Sequence, residues 1–196
     1  MFCLSRPTDQ QIRELITRQA AADLSYPEKG ASQGAMPQGY AVLHERIRLG
    51  EGLAIFERAS EALSQWKMFE MPWISLCWPD VPIQAGNIVA ILAHHFGFWS
   101  LNFSKIVYVL DEDGPICRYG FAYGTLQEHA ERGEERFLIE WDRSSGAVWY
   151  ELLSFSRPNA LLARASGPVA RMLQRRFARA SSAAMVRAAA REPRTW

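Results

Sequence analysis

The hydrophobic positions near the start of the chain recur with the spacing of a helix. Ile12 and Leu15 form the centre of an apolar stripe in this segment. Thr8 stands where an N-cap is expected, and Gln11 follows three residues later, which is the pattern of a capping box. We therefore predict an amphipathic helix over about 8–22.

Two further elements are predicted before the middle of the chain. Apolar and polar residues alternate from Tyr40 to Leu49, which predicts a strand. Gly50-Glu51-Gly52 interrupts this alternation. Apolar residues then return at helical spacing between Leu53 and Met68, so we predict a helix with one buried face.

The pattern between residues 73 and 156 indicates strands only. Asp113-Gly114 and Ser145-Gly146 are typical hairpin turns, and short turns between consecutive strands indicate an antiparallel sheet. The predicted strands are Ile74–Cys77, Asn87–Phe96, Phe103–Asp111, Ile116–Leu126, Arg136–Asp142 and Ala147–Ser156.

The last long pattern is again helical, from about 159 to 190, with a break or restart at Gly167-Pro168. A sheet needs its apolar face covered, and only this long helix follows the strands. We therefore predict an α+β fold of the helix-grip type, in which a curved antiparallel sheet wraps around the C-terminal helix. The space between sheet and helix is a cavity of the kind that binds small molecules.

Composition favours a single domain over residues 1–196. The chain has 196 residues, 48% of them hydrophobic, and a net charge of +1. This apolar content is enough for a core and excludes global disorder. The widely spaced Cys3, Cys77 and Cys117 form no disulfide framework, so a reducing compartment fits best. Neither a membrane-spanning run nor a signal-peptide pattern occurs, so we expect a cytoplasmic protein without transmembrane insertion.

The low net charge conceals an uneven distribution. Between Arg157 and Trp196 the chain has nine arginines and one acidic residue, Glu192, so this segment carries +8 and the remainder −7. A basic helix face can contact nucleic acid or anionic lipid. It can equally be a solvated outer face, which is the commoner role of charged residues. We keep a nucleic-acid or anionic-membrane surface as the alternative function, with nucleic acid as a disfavoured partner.

The segment from Tyr119 to Thr125 has two unlike faces. Aromatic residues alternate with Gly120, Ala122 and Gly124, which leaves one face nearly bare. Glycine within a strand marks a bend or a close approach. The bare face could therefore border a ligand or helix, with Tyr123 and Thr125 as polar anchors, or the glycines could only bend an ordinary aromatic strand.

A histidine and several carboxylates follow at the next turn, where Gly133 is expected to reverse the chain: His129, Glu131, Glu134 and Glu135. Such groups can transfer protons or hold a metal. Their spacing matches no metal motif and favours a solvated hairpin, so we expect no metal. The chain also lacks the GxSxG, GxGxxG and P-loop motifs of common hydrolases, dinucleotide-binding proteins and nucleoside triphosphatases.

Arg157 stands between the last strand and the final helix, where Pro158 keeps it extended. Its guanidinium could grip a ligand carboxylate or phosphate. It could also pair with Glu134 or Glu135 and tie the helix to the sheet, and this structural role is favoured.

Several short motifs along the chain occur together in one known family. They include Gly39-Tyr40, Arg48-Leu49-Gly50, Gly120-Phe-Ala-Tyr-Gly-Thr-Leu126, His129, Glu131, Gly133-Glu-Glu-Arg-Phe137 and Phe155-Ser-Arg-Pro158. In these motifs the chain resembles the family called domain of unknown function nineteen-ninety, which is grouped with START-like, or SRPBCC, helix-grip domains. The strand approach at Cys117 and the arginine-rich extension beyond Met185 depart from the family pattern. The resemblance implies a fold and a cavity, and it implies no settled activity.

These observations predict a protein that binds a small, largely apolar molecule and acts in a biosynthetic pathway. If it is an enzyme, we expect cofactor-independent acid–base chemistry, such as cyclisation, dehydration or hydrolysis. The oligomeric state, monomer or homodimer, is left open. The candidate catalytic residues are Tyr123, His129 and Glu135, and the candidate ligand-binding residues are Tyr26, Thr125, Arg157, Asn102 and Trp99.

Overall fold

The computed structural model describes residues 2–159 and 167–190, and an antiparallel sheet is its central element. Seven strands lie in the order β2-β8-β7-β6-β5-β4-β3, and β1 pairs with the free part of β5. The strands are β1 (Phe2–Cys3), β2 (Ala41–Glu51), β3 (Ile74–Cys77), β4 (Ile88–His95), β5 (Phe98–Glu112), β6 (Ile116–Thr125), β7 (Glu131–Asp142) and β8 (Ala147–Pro158).

Three helices in the described part of the chain flank this sheet: α1 (Asp9–Gln19), α2 (Leu53–Ser64) and α3 (Gly167–Ala190). One-turn 3-10 helices occur at Ala31–Gln33 and Lys67–Phe69. The capping box predicted for α1 is present, because Thr8 Oγ1 accepts the Gln11 N–H and the Gln11 side chain accepts the Thr8 N–H. α1 ends earlier than predicted because the chain turns to pair Leu24 with Leu126 of the sheet.

Helices α2 and α3 pack on the same face of the sheet, which we call the inner face. Phe121, Phe137 and Tyr150 are completely buried there. A hydrogen bond of 2.6 Å joins the hydroxyls of Tyr150 and Ser181 and so connects the sheet to α3. Helix α1 covers part of the opposite, outer face, through Ile12 and other apolar residues. This is the predicted α+β helix-grip arrangement, with α3 against an open antiparallel sheet.

Two strands begin earlier than predicted, which changes the position of several candidate residues. Strand β5 begins at Phe98 because Phe96 and Gly97, with φ angles of 50° and 80°, make a two-residue turn after β4. Strand β7 begins at Glu131, so the predicted solvated turn around Gly133 is wrong. Gly133 instead lies where a Cβ would come within 1.9 Å of the Phe155 carbonyl oxygen, an approach that only glycine permits.

The other boundaries differ less. Strand β2 continues through Gly50, where a bulge keeps the chain paired with β8 although a break was predicted. Helix α2 ends at Ser64, short of the predicted Met68, because Trp66 has a left-handed φ of 60°. The predicted start of the final helix falls on 160–166, outside the described residues, and α3 is helical from Gly167.

Candidate binding cavity

A cavity of about 500 Å³ lies between the inner face of the sheet and the first half of α3. Its walls are mainly aromatic and aliphatic, and a small group of polar side chains lies at one side. A cavity with this size and lining suggests ligand binding. The apolar walls come from Phe69, Trp73, Ile91, Ala93, Phe98, Leu173 and Phe177.

Tyr123 and Glu135 form the polar centre of the cavity. They are direct partners in the ladder between β6 and β7, and the Tyr123 hydroxyl donates a hydrogen bond of 2.5 Å to Glu135 Oε2. Burial is the main cause that raises the pKa of Glu135 to about 7, and the charge of Glu131 adds to the rise. The carboxyl group is therefore close to half-ionised at neutral pH.

Glu131 is a second carboxyl group in the cavity wall. Gln174 on α3 donates a hydrogen bond to Glu131 Oε2 and another, of 2.8 Å, to the Ser156 hydroxyl. Burial raises the pKa of Glu131 above its usual value. Gln174 was not among the predicted site residues, although it is the only uncharged polar residue among the arginines of residues 171–179.

His129 lies beside these carboxyl groups in the loop between β6 and β7. Its Nδ1 accepts the backbone N–H of Glu131 at 3.0 Å, and the Asn159 side chain donates a 2.8 Å bond to its carbonyl oxygen. Burial is the main cause that lowers the pKa of His129 to about 4. The ring is therefore neutral at pH 7, and the hydrogen bond to Nδ1 places its proton on Nε2.

The other side of the cavity contains His95, Asn102 and Trp99. Neighbouring histidines point to opposite faces of a strand, and only His95 of the pair with His94 lines the cavity. The His95 ring lies 4.8 Å from that of Trp73, and its Nδ1 is buried without a hydrogen-bond partner among the described residues. The ring of Trp99 stacks on His94 at 4.4 Å. His95 was not among the predicted site residues.

Thr125 lines the cavity, but its hydroxyl group is already engaged in hydrogen bonds. The hydroxyl accepts the Gly133 N–H at 2.9 Å and lies 2.6 Å from the Ser25 hydroxyl. Its first role in the structure is therefore to connect the end of β6 to its neighbours.

Tyr26 does not line the cavity, because its ring occupies the bare face of β6. A Cβ on Gly124 would come within 2.2 Å of the Tyr26 hydroxyl oxygen. That hydroxyl donates a 2.6 Å bond to Glu134, whose carboxylate also accepts the backbone N–H groups of Gly30 and Ser32. A ligand or helix beside the bare face was one of two alternatives, and the face instead receives a loop of the chain itself.

Arg157 also lies away from the cavity, and the predicted ion pair with Glu134 or Glu135 is wrong. Strand β8 continues through Pro158, which directs the Arg157 guanidinium over the ring of Tyr40 at 4.6 Å. Both carboxylates have other partners, namely the loop around Tyr26 for Glu134 and Tyr123 for Glu135. Of the eight predicted site residues, Tyr26 and Arg157 do not line the cavity. The other six meet there: Tyr123, Glu135, His129, Thr125, Asn102 and Trp99.

Three further features bear on the chemistry. In residues 2–159 and 167–190, no cluster of three His, Cys, Asp or Glu side chains could hold a metal ion. No helix within the same ranges is long and apolar enough to cross a membrane. All three cysteines are free thiols.

The chain is similar to proteins from distant organisms over most of its length. A UPF0548 protein from Deinococcus radiodurans is 39% identical over 201 residues, covering 96% of this chain and 99% of that protein. One from Dictyostelium discoideum is 38% identical over 196 residues, covering 90% of each. A crystal structure of a hypothetical protein from Helicobacter pylori shares the fold, with a TM-score of 0.51, 13% identity, and coverage of 84% of this chain and 95% of that one. Residues 25–184 match the family pattern itself, and the chain belongs to the family described as Domain of unknown function (DUF1990).

Proposed function

We propose that the cavity binds a small, largely apolar molecule and that Glu135 exchanges a proton with it, next to Tyr123 and His129 as hydrogen-bond donors. The observation that carries this proposal is the position of Glu135. Its carboxyl group has a pKa of about 7, lies in the wall of a mainly apolar cavity and accepts a hydrogen bond from a tyrosine hydroxyl. Apolar walls with a few polar groups are typical of sites for small organic ligands.

The protonation states of these groups suit acid–base chemistry near neutral pH. A general acid or base works best when its pKa is near the working pH, and Glu135 meets this condition. Tyr123 stays protonated because burial raises its pKa well above the usual value. His129 is neutral, so it can donate a hydrogen bond from Nε2 without giving up the proton. Together they could support cyclisation, dehydration or hydrolysis without a cofactor.

Cavity filling tests whether the ligand binds at this position. Leu173 lines the cavity from α3, whereas the adjacent Met172 is 50% exposed. N-phenyl-naphthylamine, a small apolar dye, should bind the parent protein with increased fluorescence. Leu173→Trp should weaken this binding at least about tenfold because the larger side chain occupies the site. Met172→Trp, the matched control, should bind the dye like the parent. Equal affinities for the two variants would contradict binding in this cavity.

Protein purified from its own host gives a second measurement of the same proposal. Native mass spectrometry should find a mass above that of the chain alone, which denaturation releases as a small molecule. The Leu173→Trp variant, prepared in parallel, should carry less of it than the Met172→Trp control. Retention of the same molecule by both variants would place it outside the cavity.

A second candidate function, contact with an anionic membrane, is favoured by the exposed face of α3. Arg171, Arg175 and Arg179 are exposed along a groove of about 800 Å³ and have no ion pair with any residue in the described ranges. Apolar groups lie close to them, since Met172 in the groove is 50% exposed and Val169 at the cavity is 44% exposed. Basic and apolar residues on one helix are typical of contact with a lipid surface.

Vesicle sedimentation tests this second function. The parent protein should sediment with vesicles of phosphatidylserine and phosphatidylcholine at low salt and less at high salt, because salt screens charge. Replacing Arg171, Arg175 and Arg179 together by Gln should abolish sedimentation, whereas Arg18→Gln on α1 should not. Equal sedimentation with pure phosphatidylcholine, or salt-dependent binding to RNA alone, would contradict a membrane role.

A further inference from the structure

The charged groups that line the cavity are acidic, and their hydrogen-bond partners are neutral. No lysine or arginine lines the cavity among the described residues. Glu135 is bonded by the Tyr123 hydroxyl and Glu131 by the Gln174 amide. Glu134 also borders the cavity, but its carboxylate accepts hydrogen bonds from the loop around Tyr26 on the outer side of the sheet. Within the described ranges, therefore, two carboxyl groups lie beside an apolar space and neither forms an ion pair.

We propose that the molecule bound in this cavity carries a protonated amine on its apolar body, with the ammonium group beside Glu135 and Glu131. The inference rests on the proposed ligand binding and specifies the chemical class of the ligand. A buried carboxylate is costly unless an opposite charge pairs with it. None of the described residues supplies that charge within the cavity, so a cationic ligand would gain an ion pair that a neutral or anionic ligand lacks.

Aromatic rings in the wall of the same cavity also favour a cation. The rings of Phe69 and Phe177 lie 5.6 Å apart in the cavity wall, and Tyr123 lies 5.4 Å from Phe137. The faces of aromatic rings attract ammonium groups, most strongly where water is excluded. An ammonium group bonded to Glu135 would thus have both an opposite charge and aromatic neighbours, while the ligand body would fill the remaining apolar space.

The groups around Glu135 also define how this preference should depend on pH. Burial raises the pKa of Glu135 and of Glu131, so at low pH both are protonated and neutral. The residues that α3 contributes to the cavity wall within the described ranges are uncharged: Val169, Ala170, Leu173, Gln174 and Phe177. Arginines approach from a neighbouring groove, where Arg132, Arg157 and Arg171 share the wall with Glu131. The other titratable groups that line the cavity or act on Glu135 remain uncharged at neutral pH: Tyr123 from β6, Tyr150 from β8, His129 from the loop before β7 and His95 from β4. The preference for an amine should therefore grow as the pH rises through about 7.

Three matched competitors test this inference: phenylbutylamine, phenylbutanol and phenylbutyrate, which differ only in the terminal group. Each would displace N-phenyl-naphthylamine from the parent protein, and fluorescence would report the affinities. At about pH 8 the amine should bind at least about tenfold more tightly than the alcohol, because a charge-assisted bond is roughly twice as strong as a neutral one. The carboxylate should bind most weakly. At about pH 5.5 the ratio of amine to alcohol affinity should fall towards one.

Variants assign the preference to the two carboxyl groups. In Glu135→Gln the ratio of amine to alcohol affinity at about pH 8 should fall to about threefold or less, and in the double variant with Glu131→Gln it should approach one. Glu57→Gln, on the exposed face of α2, should keep the parent ratio.

The possible outcomes separate the two proposals. Equal affinity for amine and alcohol, with dye binding that Leu173→Trp still weakens, would overturn the amine inference and leave ligand binding intact. A preference for the amine that survives in the double variant would also overturn it. Failure of the dye and all three competitors to bind would refute both, because the inference depends on an occupied cavity.

Discussion

Replacing Glu135 by Gln should make the protein more stable than the parent at high pH and not at low pH. Burial raises the pKa of Glu135 from 4.5 to about 7. The folded protein therefore holds this proton more tightly than the unfolded chain does. The stability associated with the protonated group is fully present below about pH 4.5 and is lost as the pH rises through about 7. Gln does not titrate, so the variant is free of this loss.

The size of the effect follows from the pKa difference. Each pKa unit corresponds to about 1.4 kcal/mol, so the full shift is worth about 3 kcal/mol. Most of this difference should develop between about pH 5 and about pH 8. The amide oxygen of Gln can still accept the Tyr123 hydroxyl, so the offset at low pH should be small.

Urea denaturation followed by far-ultraviolet circular dichroism measures this difference. The free energy of unfolding of Glu135→Gln relative to the parent should rise by roughly 2–3 kcal/mol between about pH 5 and about pH 8. The slope of this free energy against urea concentration should be unchanged. Glu57→Gln, a substitution of the same type at an exposed position, should show no such rise. A difference that is the same at both pH values would refute the argument, because it would mean that Glu135 titrates normally in the folded protein.

Three other substitutions test the contacts that position the cavity. Gly133→Ala should cost at least about 3 kcal/mol or prevent folding, since its Cβ would meet a carbonyl oxygen of β8. Gly114→Ala should be nearly neutral, because a Cβ there would make only an ordinary contact of 3.8 Å and the φ angle is not positive. Equal melting temperatures for the two variants would contradict this. Glu134→Gln should lower the free energy of unfolding by about 2–4 kcal/mol, because an amide cannot accept all the N–H and O–H groups that surround it, and a loss no larger than that of Glu57→Gln in urea titrations would argue otherwise. Thr8→Ala should lower the free energy of unfolding by about 1 kcal/mol in the same titrations, and Thr8→Ser should restore most of this loss. Equal stability of Thr8→Ala and the parent would show that the cap does not stabilise α1.

Elements with a strong local signal were predicted well from the sequence. The capping box of α1 depends on two residues three positions apart, and both of its hydrogen bonds are present. The alternation in β6 correctly placed Phe121 and Tyr123 on one face, because successive side chains of a strand point to opposite sides. That face is the one that packs towards α3, as the helix-grip prediction requires.

The sequence was less informative where the structure depends on distant segments. The bare face of β6 was visible in the sequence, but nothing local indicated that Tyr26, about a hundred residues earlier, would fill it. Glycine is a typical turn residue, so a turn was predicted at Gly133. The residue lies within β7 because the close approach of β8 requires a glycine there. The ion pair predicted for Arg157 was wrong for a similar reason. Strand β8 is longer than predicted, and its extension directs the Arg157 side chain towards Tyr40.

The order of helices and strands and the α+β fold class can be inferred from the sequence alone, and so can the dense segment that contains Tyr123, Glu135 and His129. These follow from residue periodicity and turn residues, which act over a few positions. Which polar groups share the cavity depends on contacts between distant segments. Burial beneath α3 turns Glu135 into a carboxyl group with a pKa of about 7, while the neighbouring Glu134 is held by a loop on the outer face. Adjacent residues of a strand face opposite environments, and the environment sets what each carboxyl group can do.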